Sequence, residues 1–498
     1  MNKSTILLQL IIAQTLIKTI SAKVKPSKDN VVFLVELARH GAKSPKRVIH
    51  KSKWTQQTEA GELTPVGQRQ RLMLGLNTLH RYKKFLKGET GSSKLKANEY
   101  WVVSTYFNRT RVSAFSHIFG MFNKSNKNGA PEIPFEDNTD PRMDPPQKLL
   151  FNKSEEIDFT SPLPRHTDPL SVHTFDTGTD EYLSIIEEPC PPIRKTWKAS
   201  IQEMAEYVQK SEKFVEMVRK AKSLYNLPAD WKSDKGEFKA CKILSDFTLM
   251  DNLHNPNPVI DGINGSEEEK GIYLFLEKCY YAQLYQRMNN SLVNKIGVSP
   301  VLDQMVTWFE RKISESEQDF PLKYVHFSGH CSTINPFLSI LKLGLSNASC
   351  LANDLYDGVS APNPNCSNFP SVGSNIIWEL ILKPGREKKE KRSREDFIVK
   401  FSYNGDYLDY CLAGVVDQFG DHYCELADFY NLAKTEFFYK DYIDYCGLTK
   451  YSPDDELSSR VQFVLAIVGA FAAIFGVLLL ILLRNFTMLR RISKRKME

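Results

Sequence analysis

Leu37-Ala38-Arg39-His40-Gly41-Ala42-Lys43-Ser44-Pro45 lies just past Val31-Val32-Phe33-Leu34-Val35, an apolar run of strand length rich in β-branched residues. Gly, Ser and Pro then break the strand. The stretch reads as a buried strand that presents Arg39 and His40 at its carboxyl end, the edge where open α/β sheets bind ligands. Cations flank an imidazole there, and Gly41 lets the backbone approach a ligand. Such a strand end can hold a phosphoryl group and attack it.

Further elements surround it. Thr64-Pro65-Val66-Gly67 opens a helix running to about Phe85, with Leu72, Leu76 and Leu79 at helical spacing. Tyr100 to Thr105 reads as a second strand, and Asn108 to Ala114 turns from it into a helix carrying Arg109. Tyr324 to Thr333 is a third strand with a polar end containing His330 and Cys331. Ile376 to Leu380 and Phe397 to Phe401 are two more, joined by a charged loop from Lys383 to Asp396. Cys190 to about Met288 is mostly helical in pattern, as in Trp197 to Lys222 and Gly271 to Met288.

The 498-residue chain is 42% apolar, enough for a sizeable core. Met1 to Ala22 has the charge, apolar run and small-residue end of a secretory signal. Residues 461–483 form an uncharged apolar run long enough to span a bilayer. The basic tail 484–498 behind it belongs in the cytosol by the positive-inside rule. Together they predict a single-pass type I protein whose bulk, residues 23–460, is luminal or extracellular. With the signal and tail set aside, the net charge of +6 becomes −1, so nothing suggests a nucleic-acid partner. The lipid bilayer is expected as a partner through the one span, where Gly469 and Ala473 offer a small-residue face for a homodimer. Sequons at Asn123, Asn152, Asn264, Asn289, Asn347 and Asn365 fit a glycosylated export surface. The nine cysteines suit a disulfide-permissive compartment, and their odd number leaves at least one free or paired between chains. None forms a C-x-x-C pair, which argues against zinc.

Arg39-His40-Gly41-Ala42-Lys43-Ser44-Pro45 resembles the Arg-His-Gly-x-Arg-x-Pro motif of the histidine acid phosphatases, branch 2 of the histidine phosphatase superfamily, with Lys43 in place of Arg. Leu63-Thr64-Pro65-Val66-Gly67 matches the family's Leu-Thr-x-x-Gly element. Ser104, Thr105, Arg109, Thr110, Ser113 and Ala114 match its next motif, with Tyr106 and Asn108 replacing the usual acids. His330 matches the His of the family's His-Asp pair, and Cys331 replaces the Asp. The resemblance spans roughly Val31 to Cys446.

It implies an α/β fold: a three-layer α/β/α core on a mainly parallel sheet, with a mostly helical cap at approximately residues 123–290 that sets substrate choice. It implies His40 as the nucleophile, forming a phosphohistidine on a phosphomonoester substrate, and Arg39, Lys43, Arg109 and His330 as phosphate ligands. Basic side chains would do a cation's work, so neither metal nor cofactor is expected. It also implies a Cys190–Cys446 disulfide. Cys411 with Cys424 and Cys350 with Cys366 are pairings suggested by proximity.

Two departures weigh on function. Lys43 is a point charge where arginine offers a planar fork, so weaker phosphate orientation is expected. Cys331 occupies the position of the proton donor, a group worth about 10²–10⁴ in rate. The expected function is an acid phosphatase slowed at leaving-group protonation. The alternative is an inactive pseudophosphatase serving as a membrane-anchored receptor ectodomain. A cysteine-dependent mechanism fails because Phe337 stands where His-Cys-x5-Arg requires arginine. The tail lacks tyrosine, which leaves lysosome, another acidic vesicle and plasma membrane all open as destinations.

Overall fold

Alternation decides how the first strand sits. In β1 (Val31–Arg39), Phe33, Val35 and Leu37 enter one buried apolar cluster while Leu34 enters another, so the strand has a core on each face. Full burial of each such side chain is worth about 1.5–3 kcal/mol. The remaining strands are β2 (Tyr100–Ser104), β3 (His173–Thr174), β4 (Tyr324–Gly329), β5 (Asn375–Leu382), β6 (Phe397–Tyr403), β7 (Asp406–Tyr407) and β8 (Cys424–Glu425). They pair in the order β3-β2-β4-β1-β5-β6-β7, with β8 also on β6. The computed structural model describes residues 30–49, 59–87, 96–122, 147, 171–232, 236–341, 348–361, 370–387, 391–411, 415–417 and 420–448.

The sheet is mixed, and this corrects the expectation of a mainly parallel one. β1, β2, β3 and β4 run parallel, whereas β1 with β5, β5 with β6, and β6 with β7 and β8 are antiparallel. β5 and β6 are joined by residues 383–396, and β6 and β7 by the turn at Asn404-Gly405. A two-residue turn such as the one between β6 and β7 permits only an antiparallel neighbour, since a parallel pair needs a crossover of a dozen or more residues. In the parallel half, register places Arg39 beside Gly329 and Ser104 beside Ser328. Three strands therefore end at one edge, and the residues that follow them, His40, Thr105 and His330, are delivered together.

Helices cover both faces. α1 (Pro65–Arg81) starts at the Thr64 cap with Pro65 at its first position, and it packs with α2 (Asn108–Phe122) on one face. A helical group follows: α3 (Pro191–Val208), α4 (Glu212–Leu224), α5 (Glu237–His254) and α6 (Glu267–Met288). α6 begins with a Ser266/Glu269 capping box and three glutamates against the helix dipole. α7 (Ser291–Ser314) and α8 (Cys331–Ile340) cover the other face of the sheet with Val298, Val301, Met305, Ile334 and Phe337. The helical group has its own buried cluster, which also takes in Leu351 and Leu355 of α9 (Ala348–Tyr356), beyond the bounds expected for a cap.

Among the described residues no helix is long and apolar enough to cross a membrane. The signal 1–22, the run 461–483, the tail 484–498, Cys366, and the sequons Asn123, Asn152, Asn347 and Asn365 lie outside the described residues. Asn264 and Asn289 are exposed. Disulfides join Cys241 to Cys279 and Cys411 to Cys424; Cys190, Cys350 and Cys446 are also disulfide-bonded, and Cys331 is free.

Candidate active site

Arg39, His40, Lys43, Arg109, His330 and Cys331 line one cavity of about 750 Å³ between the sheet edge and the helical group. The loop carrying the first three is held by the elements that follow it. A Cβ on Gly41 would stand 2.2 Å from the Gly67 carbonyl oxygen, so two glycines are needed where the loop crosses the start of α1. Gly41 N–H donates to Ser113 Oγ at 3.1 Å and Ala42 N–H to Gln70 Oε1 at 2.9 Å. Thr64 N–H returns a bond to Ala42 O at 3.0 Å. The glycine, threonine and serine of the three sequence motifs are thus the fastening of one loop.

His40 is buried, and its Nδ1 lies 2.8 Å from the Gly41 carbonyl. A carbonyl accepts only, so Nδ1 carries the proton and the Nε2 lone pair is left for attack. Burial, then Arg109 and Arg39, hold the imidazole well below its ordinary pKa, which keeps it neutral in acid. Arg39 is buried with its guanidinium donating to the Pro370 carbonyl at 2.5 Å and the Tyr280 hydroxyl at 3.1 Å. Arg109 stacks over Phe107 with its guanidinium carbon 4.4 Å from the ring centre. His330 caps α8, its Nε2 lies 3.0 Å from Thr105 Oγ1, and its ring centre is 5.5 Å from that of His40. Burial and the same two arginines also keep His330 neutral.

Lys43 is placed differently from a simple phosphate ligand. Its ammonium donates to Asp246 Oδ1 of α5 at 2.7 Å and to the Ser44 carbonyl at 3.2 Å. The second Asp246 oxygen accepts from Lys46 N–H at 2.7 Å. Lys43 therefore ties the motif loop to the helical group, and burial brings its pKa down to about 8 even with Asp246 opposing the shift. Cys331 is half-buried at the first turn of α8.

Sequence reasoning missed Asp246, Tyr280 and a second set of cations, Lys46, Lys239, Lys242 and Arg287, all lining the cavity. Crowding by burial and by Arg287, Lys239 and Lys46 brings Lys242 down to about 8. The one usable signal was cysteine arithmetic: the Cys241–Cys279 bond staples α5 to α6, fixing Asp246 and Tyr280 over the cavity. Closing its loop, with a sequence separation of 38, is worth about 4 kcal/mol on a chain-entropy account.

Among the described residues one trio has metal-ligand geometry, Glu36, His117 and His326, with donor atoms within 4.8 Å. It lies below the sheet, away from the cavity. Tyr324 donates to Glu36 at 2.8 Å, His117 reaches the same oxygen at 3.2 Å, and Arg71 stands 3.3 Å from His326 Nε2. A guanidinium in that position opposes a cation, and the trio reads as a buried hydrogen-bonded network.

The chain matches the model of the histidine phosphatase superfamily, branch 2, over residues 21–404. It is similar to lysosomal acid phosphatase of Xenopus laevis, 24% identical over 356 residues, 68% of this chain and 65% of that protein. It therefore spans about two thirds of that relative's length. Among solved structures, the phytase of D. castellii aligns at TM-score 0.52 and 14% identity, covering 87% of this chain and 85% of that one. The apo phytase of Hafnia alvei aligns at TM-score 0.51 and 12% identity, covering 83% and 98%. At these identities the structural likeness concerns the fold.

Proposed function

The chain belongs to the histidine phosphatase superfamily, branch 2, and on that footing we propose that it hydrolyses phosphomonoesters through a phosphohistidine on His40. The observation that carries the reading is the neutral His40, its Nε2 unpartnered among the described residues and set among Arg39, Arg109 and His330. Phosphoryl transfer asks mainly for positioning and for charge around the equatorial oxygens. Arg39 and Arg109 supply the charge, and His330 a ring donor. Nε2 attacks phosphorus, the ester oxygen leaves with a proton, and water then cleaves the phosphorus–nitrogen bond to free phosphate and His40.

Lys43 acts on this reaction mainly by holding the loop to α5. The residues 123–290 with α9 serve as a cap. Lys46, Lys239, Lys242 and Arg287 favour substrates with anionic groups beyond the reacting phosphate. The acid-phosphatase relative favours a luminal setting, with anchoring through 461–483, a Cys190–Cys446 disulfide, and homodimerisation as further parts of the proposal.

The test is hydrolysis of p-nitrophenyl phosphate by the full-length protein from pH 4 to 8, beside His40→Ala. Turnover lost in the variant supports the reading. A protein that binds inorganic phosphate but turns over nothing overturns it in favour of a receptor ectodomain. Competition by inositol hexakisphosphate much tighter than by inorganic phosphate would support the polyanion preference.

A further inference from the structure

Leaving-group protonation needs an acid, and Cys331 stands where the resemblance puts the family's carboxylic acid. Each carboxylate lining the cavity already has a basic partner. Asp246 accepts from Lys43 Nζ and Lys46 N–H on its two oxygens. Glu187 is paired with Arg287 at 2.7 Å, and Glu188 with Arg194.

One hydroxyl differs. Tyr280 projects from α6 into the cavity, and its oxygen accepts from Arg39 Nη2 at 3.1 Å. Among the described residues its own hydrogen has no acceptor, so the phenol brings a proton that the protein does not use. Tyr280 lines the same cavity as His40 and Cys331, the latter at the position where the resemblance puts the family's acid. The Cys241–Cys279 bond, adjacent in sequence to Tyr280, fixes its backbone against α5.

We propose that Tyr280 is a further catalytic residue, the proton donor to the leaving oxygen, in the role that Cys331 vacates. The proposal rests on the phosphomonoesterase reading above. In the first step a bond forms between His40 Nε2 and phosphorus, the phosphorus–oxygen ester bond breaks, and the Tyr280 O–H bond breaks as its proton passes to the departing alkoxide. The tyrosinate left behind faces the Arg39 guanidinium across the 3.1 Å contact. In the second step it takes a proton from water, whose hydroxide attacks phosphorus and breaks the phosphorus–nitrogen bond. The cycle ends with His40 neutral and Tyr280 protonated, with no co-reactant beyond water. Burial pushes the phenol up to about 12 against the opposing pull of Arg39, so it stays protonated through acid and neutral pH.

The experiment is Tyr280→Phe in the full-length protein, assayed on p-nitrophenyl phosphate and on β-glycerophosphate, with inhibition by inorganic phosphate as the binding control. The nitrophenolate needs little help to leave, whereas the alkoxide needs a proton. The expected result is a loss of about 10²–10⁴-fold in kcat/KM on the alkyl ester and about tenfold or less on the aryl ester. The phosphate inhibition constant should move less than about threefold, and adding Cys331→Asp should restore alkyl turnover. Equal losses on both esters with weaker phosphate inhibition would overturn the proposal and leave Tyr280 as a positioning residue for Arg39. An unchanged alkyl rate would also overturn it.

Incorporating 3-fluorotyrosine at position 280, which is more acidic and nearly isosteric, covers the case where the phenylalanine variant fails to fold. It should raise alkyl turnover relative to aryl turnover, and no change in that ratio refutes the role. Wild-type protein inert on both esters would instead refute the phosphomonoesterase reading itself, and the Tyr280 role with it.

Discussion

Replacing Asp246 with Asn should destabilise the protein in a way that depends on pH. Lys43 is 3% exposed and Asp246 14%, and their charges meet at 2.7 Å. Breaking a fully buried ion pair by removing one partner costs about 3–5 kcal/mol. Asp246 keeps some water and Asn still offers one acceptor, so about 2–4 kcal/mol at pH 7 is the expected loss. Lys43 is at about 8 in the folded protein and 10.5 ordinarily. Between those values the unfolded chain holds a proton that the folded chain has shed, so stability rises with pH through that window. Without Asp246 the folded value drops further, which enlarges the deficit at pH 7. Near pH 10 the lysine is neutral in both folded proteins, and the difference shrinks. Urea unfolding followed by tryptophan fluorescence at pH 7 and pH 10 measures both. A loss below about 1 kcal/mol at pH 7, or the same loss at both pH values, would refute the role of this pair.

Arg109→Gln should raise the His40 pKa toward its ordinary value, because Arg109 is the strongest charge depressing it after burial. The acid limb of the kcat/KM profile then moves to higher pH, and an unmoved limb would contradict the electrostatics. Stability should fall as pH drops through about 6.5, since His117 and His326 are buried and depressed while the unfolded chain takes up those protons. The slope is up to about 1.4 kcal/mol per pH unit for each histidine, and His117→Gln should flatten it in a melting series. Below about pH 4.5 Glu36 adds to the loss. Burial alone would raise its pKa, but His117, His326 and Arg71 hold its carboxyl well below the usual range.

Much of the sheet edge that carries the candidate site was legible in the sequence because each part is local. The strand before Arg39, the Thr64-Pro65 helix start and the His330 strand end each carry their own punctuation, and the structure brings those ends to one edge. The antiparallel half was not legible: Ile376 to Leu380 looks the same to periodicity whichever way its neighbour runs. Asp246 and Tyr280 were also invisible. They sit on helices with no marked amphipathic face, about 200 and 240 residues from their partners Lys43 and Arg39, and only tertiary packing sets that pairing. The pairing of Lys43 with Asp246 was not legible either, because it depends on a residue the local motif cannot specify.

A covalent phosphoenzyme on His40 is what the proposed reaction stands on. The direct measurement is acid-labile, base-stable labelling of the full-length protein by a ³²P-phosphomonoester quenched during turnover, with the site located by peptide mapping. Label is expected on His40, absent from His40→Ala and accumulating on aryl more than on alkyl esters. Turnover without label on His40, or label on Cys331, would contradict it.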